Sequence, residues 1–268
     1  MEIGESIMLN IKDITVQYGN NNPAIEEFNL KMNQGEIIAI VGESGSGKTT
    51  IIRSIMGLLP NGGKITKGDI IFQNESLINY SKEKWYKLRG TEISMIFQDC
   101  GSMINPIRKI GKQFIEYIRT HEKISKDDAY DKALFMLEKM RLTNPNNIMK
   151  SYPFQLSGGM RQRVGIAMAM TFNPKLLMAD EPTSALDVTT QSQIIRNMIE
   201  LRDEFNTSII MVTHNLAVAA YIADKIIVMK NGKMVEQGSR EDILNNPKDD
   251  YTKKLLASVP NWEEEQYA

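Results

Sequence analysis

Gly42-Glu43-Ser44-Gly45-Ser46-Gly47-Lys48-Thr49 satisfies the spacing G-x-x-x-x-G-K-[ST]. Glycines let successive backbone N–H groups turn toward one anion. Thr50 to Met56 reads as a helix ended at Gly57, and its first N–H groups point at the same place. The chemistry this pattern suits is nucleotide phosphate binding. Candidate contacts are Gly42, Ser44, Gly45, Gly47, Lys48, Thr49 and Thr50. Lys48 is placed to reach the β/γ-phosphates of ATP, and the Thr49 hydroxyl to hold Mg²⁺. A second group is Lys175-Leu176-Leu177-Met178-Ala179-Asp180-Glu181, where two acids follow an apolar run. Asp180 suits the shell of the same Mg²⁺, and Glu181 is placed to orient or deprotonate an attacking water. An Asp-Glu pair alone is ordinary surface charge. Its position at the end of a buried strand, where open α/β sheets hold ligands, gives it meaning.

These groups need elements to hold them. Ile37 to Val41 is short, fully apolar and rich in β-branched residues, as a strand buried on both faces must be. Leu176 to Ala179 and Ile209 to Val212 are similar, with helical patterns nearby. The alternation predicts an α/β core. Ile11 to Tyr18, Asn29 to Met32, and the runs at Val16, Ile25, Ile70 to Phe72 and Ile93 to Phe97 predict extra strands around the N-terminal part, with a turn at Asn20 to Pro23. Pro106 begins a predicted helix with Ile107, Ile110, Phe114 and Ile118 on one face. Ser125 and Asp128 form a capping box before the stripe Ala129, Ala133, Met136, Leu137 and Met140. Asn144 to Asn147 break that stripe. Asp187 caps a long helix facing inward through Ile194, Ile195, Met198 and Phe205. Ile226 to Met229 is a late strand, Asn231-Gly232 a hairpin turn, and Glu241 to Leu244 and Tyr251 to Leu256 are short helices. Residues Glu263 to Gln266 read as a frayed, solvated tail. The boundaries drawn are a first part of the core with an antiparallel β subdomain (1–102), a helical subdomain (103–157), the second part of the core (158–240) and a short C-terminal extension (241–268).

Composition narrows the class. The chain has 268 residues, 42% of them hydrophobic, which is enough for a full core without disulfides. Its formal net charge of -1 argues against a nucleic-acid coat. The basic run Lys82, Lys84, Lys87 and Arg89 around Trp85 is broken by Glu83 and Glu92 and reads as a solvated face. Cys100 is the one cysteine, read as small and partly buried. The histidines number two, too few for a transition-metal site, and His121 is expected to be solvated. The 17 methionines fill cores. No apolar run is long enough to span a bilayer, and the start, with Glu2 and Glu5, lacks a secretory leader.

Leu156-Ser157-Gly158-Gly159-Met160-Arg161-Gln162-Arg163 decides the family. It resembles the signature motif of ATP-binding cassette (ABC) ATPases, and lies just upstream of Leu177 to Glu181, as theirs does. Other members of the motif set follow in order. Tyr18 resembles the aromatic residue that stacks on adenine. Gln98 resembles the glutamine that contacts Mg²⁺ and water. Ser184-Ala185-Leu186-Asp187 resembles the loop joining two ATP sites, and His214 the histidine that contacts the γ-phosphate. The resemblance covers Ile11 to about Ser258. It implies a phosphate-loop core with a small antiparallel sheet and an inserted helical subdomain. It also implies a head-to-tail dimer in which ATP lies between the phosphate loop of one subunit and Ser157, Gly158 and Gly159 of the other.

The flanks are similar to oligopeptide, dipeptide and nickel importer ATPases. The similar stretches are Leu88 to Asp99, Ser102 to Pro106, Ala179 to Thr189, and Asn246-Pro247-Lys248-Asp249-Asp250-Tyr251-Thr252-Lys253-Lys254-Leu255-Leu256. Cys100 departs from that group's proline, and Asp249-Asp250 from its His-Pro. The cysteine-rich tail of some members is missing too, which leaves a nickel, cobalt or zinc metallophore importer open. The resemblance implies ATP and Mg²⁺ as ligands, two membrane permeases and an extracytoplasmic solute-binding protein as partners, and no nucleic acid. It implies a second ATPase subunit, with a second copy of this chain as the alternative. The expected place is the cytoplasmic face of a bacterial membrane, held peripherally. An ABC exporter subunit and a soluble non-transport ABC ATPase are the competing readings.

Overall fold

The computed structural model describes residues 7–20, 22–98, 100–184 and 186–257. The readings made above at Glu2, Glu5, Asn21, Asp99, Ala185, Ser258 and Glu263 to Gln266 lie outside the described residues. The chain forms two compact units, one from the residues up to Tyr86 and from Ser208 onward, the other from Lys87–Thr207.

In the first unit, β3 (Ile37–Val41) is buried at all five positions. It pairs in parallel with β8 (Ser208–Thr213) on one side and β9 (Lys225–Lys230) on the other. Cover on both faces is why these strands are continuous apolar runs. β10 (Lys233–Ser239) returns antiparallel to β9. The turn between them is Asn231-Gly232, both residues at positive φ, as a two-residue hairpin turn requires. A separate antiparallel sheet runs β2 (Ile25–Asn33), β1 (Ile7–Tyr18), β4 (Gly63–Phe72), β5 (Glu75–Ser76). β1 and β2 extend beyond the stretches predicted. Register shifts between Ile11 and Val16 interrupt the alternation that would have marked their full length. One bulge is held open by Gly68, where a Cβ would stand 2.2 Å from the Lys12 carbonyl oxygen.

The helices of this unit are α1 (Lys48–Ile55), α2 (Lys82–Leu88), which runs on past Tyr86, α9 (Leu216–Ile222), α10 (Arg240–Asn245) and α11 (Asp250–Ala257). α1 begins two residues earlier than expected, directly after Gly47 at φ 102. None of the α2 side chains is buried. Lys84 pairs there with exposed Glu75, which agrees with a solvated basic face. Leu216, Ala219, Ala223, Ile243 and Tyr251 pack with Ala39, Val41, Ile226 and Val228 into one core.

In the second unit, β6 (Ile93–Ile96) pairs in parallel with β7 (Leu176–Asp180). This corrects the grouping of Ile93 to Phe97 with the N-terminal strands. Its short apolar run carries no signal of its partner. The helices are α3 (Cys100–Met103), α4 (Ile110–His121), α5 (Lys126–Lys139), α6 (Pro145–Lys150), α7 (Gly158–Met170) and α8 (Val188–Phe205).

Three details depart from expectation. Pro106 does not open α4, and Ile107 is 82% exposed. The Asn105 side chain accepts the Ile107 N–H and closes a turn first. α5 already ends at Lys139, and Asn144, at φ 59, is the N-cap of α6 rather than a plain break. His121 is half-buried, edge-on to Tyr117 and Phe172, rather than solvated. Burial pushes its imidazole below the ordinary value. The α4 and α5 stripes otherwise hold: Ile110, Phe114 and Ile118 are buried with Ala129, Ala133, Met136, Leu137 and Met140. Ser125 caps α5 by accepting the Asp128 N–H at 3.0 Å. No helix among the described residues is long and apolar enough to cross a membrane.

Phe114 is fully buried. Phe114→Ala is expected to cost about 3–5 kcal/mol by urea unfolding. A loss under about 1 kcal/mol would remove Phe114 from the packed face of α4.

Candidate functional site

The phosphate loop leaves β3 at Val41, which lies opposite Thr213 of β8 in the parallel register. Gly42 and His214 therefore leave one edge of the sheet side by side. His214 is exposed. It is flanked by Thr213, whose hydroxyl accepts the Asn215 N–H at 3.0 Å, and by Asn215, which caps α9. A short strand followed at once by a capped helix leaves His214 little backbone freedom.

Two loop glycines are dictated by geometry. At Gly42, φ is 150 and a Cβ would stand 2.2 Å from the Met229 carbonyl oxygen. At Gly47, φ is 102 and a Cβ would stand 2.4 Å from Ile25 Cδ1 and 3.0 Å from the Ala24 oxygen. The hairpin turn also donates its Gly232 N–H to the Ser46 carbonyl at 3.0 Å. The loop is thus braced by β9, by the β9–β10 turn and by the start of β2. Lys48 is 5% exposed, and its ammonium donates to the Gly42 and Glu43 carbonyls at 2.7 and 2.8 Å. The Ser46 Oγ is buried without a hydrogen-bond partner. A buried cation, an orphaned hydroxyl and a glycine-shaped backbone fit a phosphate chain. Thr49 and Thr50 are half-buried at the start of α1, while Ser44 and Gly45 are exposed. Tyr18 lies opposite Gly63 in the β1–β4 register, and a Cβ on Gly63 would stand 2.5 Å from its ring. The glycine gives the aromatic ring a flat backbone to rest on.

The second unit repeats the arrangement at strand ends. Ile96 lies opposite Ala179 in the β6–β7 pair. Gln98 and the Asp180-Glu181 pair accordingly emerge together. Gln98 Nε2 donates to Glu181 Oε2 at 3.4 Å. Asp180 is 6% exposed. Glu181 has φ 45, a left-handed conformation that a glutamate adopts at a cost of order 1–3 kcal/mol and that recurs at functional positions. Gln162 of α7 donates to the Pro182 carbonyl at 2.7 Å and so steadies the loop after Glu181. The motif reading did not single out Gln162, although it stands inside Leu156 to Arg163.

Ser157 caps α7, its Oγ accepting the Met160 N–H at 3.2 Å. Asp187 caps α8, accepting the Thr190 N–H at 2.9 Å and the Thr190 hydroxyl at 2.8 Å. The two helix starts touch: a Cβ on Gly159 would stand 2.6 Å from Thr190 Cγ2, and one on Gly158 3.6 Å from Leu186 Cδ2. Ser157, Gly158 and Asp187 are exposed. Cys100 is buried, and a Cβ on Gly165 would stand 2.6 Å from its own Cβ, so this cysteine serves packing against α7.

The ABC transporter family model matches residues 25–184. The chain is 45% identical over 260 residues to the oligopeptide transport ATP-binding protein OppD of Bacillus subtilis (strain 168), covering 96% of this chain and 73% of that one. It is 46% identical over 244 residues to the dipeptide transport ATP-binding protein DppD of the same organism, covering 91% and 73%. Among solved structures it is similar to a dimer of the ATP-binding cassette MJ0796 in a post-hydrolysis state bound to ADP and Pi. That match has a TM-score of 0.77 and 28% identity, and covers 87% of this chain and 99% of that one.

The two hydrogen bonds from Thr190 hold the Asp187 carboxyl below the usual carboxylate range. With the folded value depressed, the cap is present above the pKa of a free aspartate and is lost as pH falls through the folded value. An NMR titration is expected to place the Asp187 midpoint below that of an unstructured peptide. A midpoint at or above it would remove the cap.

Proposed function

Because this chain belongs to the ABC transporter family, as an ATP-hydrolysing subunit, we propose that it drives import of oligopeptides or dipeptides through a membrane permease. The observation that carries this is the pair of in-register strand ends. One presents Gly42 to Thr49 beside His214, and the other Gln98 beside Asp180-Glu181. The cargo follows the peptide transport ATP-binding proteins it resembles. Peptides therefore take precedence over the nickel and metallophore cargoes that the sequence leaves open.

In this reading the phosphate-loop N–H groups and Lys48 bind the phosphates, and Tyr18 stacks on adenine. Mg²⁺ bound with the nucleotide supplies charge neutralisation on the phosphates, and the Thr49 hydroxyl, the Asp180 carboxylate and Gln98 would hold it. Glu181 orients and deprotonates the attacking water, kept in place by the Gln98 amide. His214 contacts the γ-phosphate. Catalysis here is positioning and charge stabilisation, since phosphoryl transfer asks little covalent chemistry of the protein. Ser157, Gly158 and Gly159 serve the phosphate loop of a second ATPase subunit across a head-to-tail dimer, and Asp187 lies on the same face. A different second subunit is favoured over a second copy. Two permeases and an extracytoplasmic solute-binding protein complete the importer, which places this chain on the cytoplasmic side of the membrane. The division into core (1–102 and 158–240), helical subdomain (103–157) and C-terminal extension (241–268) belongs to the same proposal.

Glu181→Gln is expected to retain ATP binding and slow hydrolysis by on the order of 10²-fold or more. Near-normal turnover in that variant removes Glu181 from the catalytic role. Identification of the membrane proteins that co-purify with the tagged chain tests the rest. Two permeases are expected, and partners from ribosomes or DNA would overturn the transporter reading.

A further inference from the structure

The C-terminal segment around Tyr251-Thr252 is left without a task by the motifs of nucleotide chemistry. In the structure it reaches the phosphate loop. The Tyr251 hydroxyl accepts the backbone N–H of Glu43 at 3.0 Å. Glu43 is the second residue of the loop, directly after Gly42. The Tyr251 ring is 8% exposed and sits in the core with Val41 and Ala39, the strand from which the loop departs. The Lys230 ammonium lies 4.7 Å from the ring centroid. Burial, above all, pushes the phenol above its ordinary value, so the hydroxyl is neutral at physiological pH.

Tyr251 is itself held in place. Asp249 Oδ1 accepts the N–H groups of Tyr251 and Thr252 at 2.8 and 3.4 Å, starting α11. The Glu236 carboxylate on β10 accepts the N–H groups of Lys248 and Asp249 at 2.7 and 3.1 Å. A chain of hydrogen bonds thus runs from β10 through the start of α11 to the first turn of the loop. The Asp249 carboxylate is thus the cap of α11.

We infer that Tyr251 is a positioning residue for ATP binding, its hydroxyl fixing the Glu43 N–H so that the phosphate loop keeps its anion-binding shape. A loop ordered beforehand loses less conformational freedom when the phosphates arrive, and that difference is affinity. The inference rests on the ATP-binding reading above and adds a role for the C-terminal extension.

The test is Tyr251→Phe in the full-length chain, which keeps the ring and removes the hydroxyl. A fluorescent ATP analogue with Mg²⁺ gives Kd, steady-state hydrolysis gives KM and kcat, and hydrogen exchange follows the Glu43 amide. Kd and KM are expected to rise together, by roughly 3- to 10-fold. The kcat is expected to change by less than about twofold. The Glu43 amide is expected to exchange faster while the β3 amides keep their protection. Unchanged Kd and KM overturn the inference. Faster exchange spread through β3 and α11 also overturns it, because it assigns Tyr251 to packing alone. Failure of the unmodified chain to bind the analogue sinks the ATP reading itself, and that control separates the two failures.

Discussion

Val41 lies opposite Thr213 and Ile96 opposite Ala179, on neighbouring strands that run in the same direction. The placement of His214 beside Gly42, and of Gln98 beside Asp180-Glu181, depends on those two alignments. Parallel strands in register end together, so the residues after them leave the same edge within one strand spacing, roughly 5 Å. A slip of one residue would turn each apolar side chain to the opposite face. It would also carry His214 away from Gly42, or Gln98 away from Glu181. Because β3, β7 and β8 are buried at every position, a slip is resisted by the fit of side-chain shapes on both faces rather than by exposure of an apolar face. Packing energy in the strands thereby sets distances between polar groups that never touch the core.

The phosphate loop adds a second constraint, because its polar backbone must be held open. Gly42 presses on the Met229 carbonyl, Gly232 on the Ala24 carbonyl, and Gly47 on Ile25. At Gly42 and Gly232 the close approach is to backbone, which is stiffer than any rotamer. Lys48 is folded onto the carbonyls of Gly42 and Glu43, so its charge is buried but hydrogen-bonded.

How far the sequence told this in advance follows from the range of each signal. The loop at Gly42 to Thr49, the strand end at Asp180-Glu181 and the helix start at Ser157 were legible because each is set by residues next to one another in the chain. The α8 cap at Asp187 and the Asn231-Gly232 turn were legible for the same reason. The partner of β6 was not, because a four-residue apolar run fits any buried parallel neighbour. His121 was misread because Phe172, which shelters it, is far away in sequence. Pro106 was misplaced because an Asn105 turn competes with the helix start that a proline also suits. Tyr251 was read as part of a short helix and of a resemblance, but not as a partner of the phosphate loop, because its hydrogen bond to Glu43 spans most of the chain.

In the second unit the starts of α7 and α8 combine helix capping with an open backbone. Ser157 Oγ and the Asp187 carboxylate are engaged in capping their own helices. What the start of α7 still offers is its first-turn backbone. The N–H groups of Gly158 and Gly159 have no intrahelical acceptor, and the helix dipole favours an anion there. Both residues lack a Cβ, and Gly159 needs that lack to pack on Thr190. The same glycine that lets α7 and α8 meet also leaves the helix start bare, so one missing Cβ serves both the packing of two helices and an open, anion-favouring backbone.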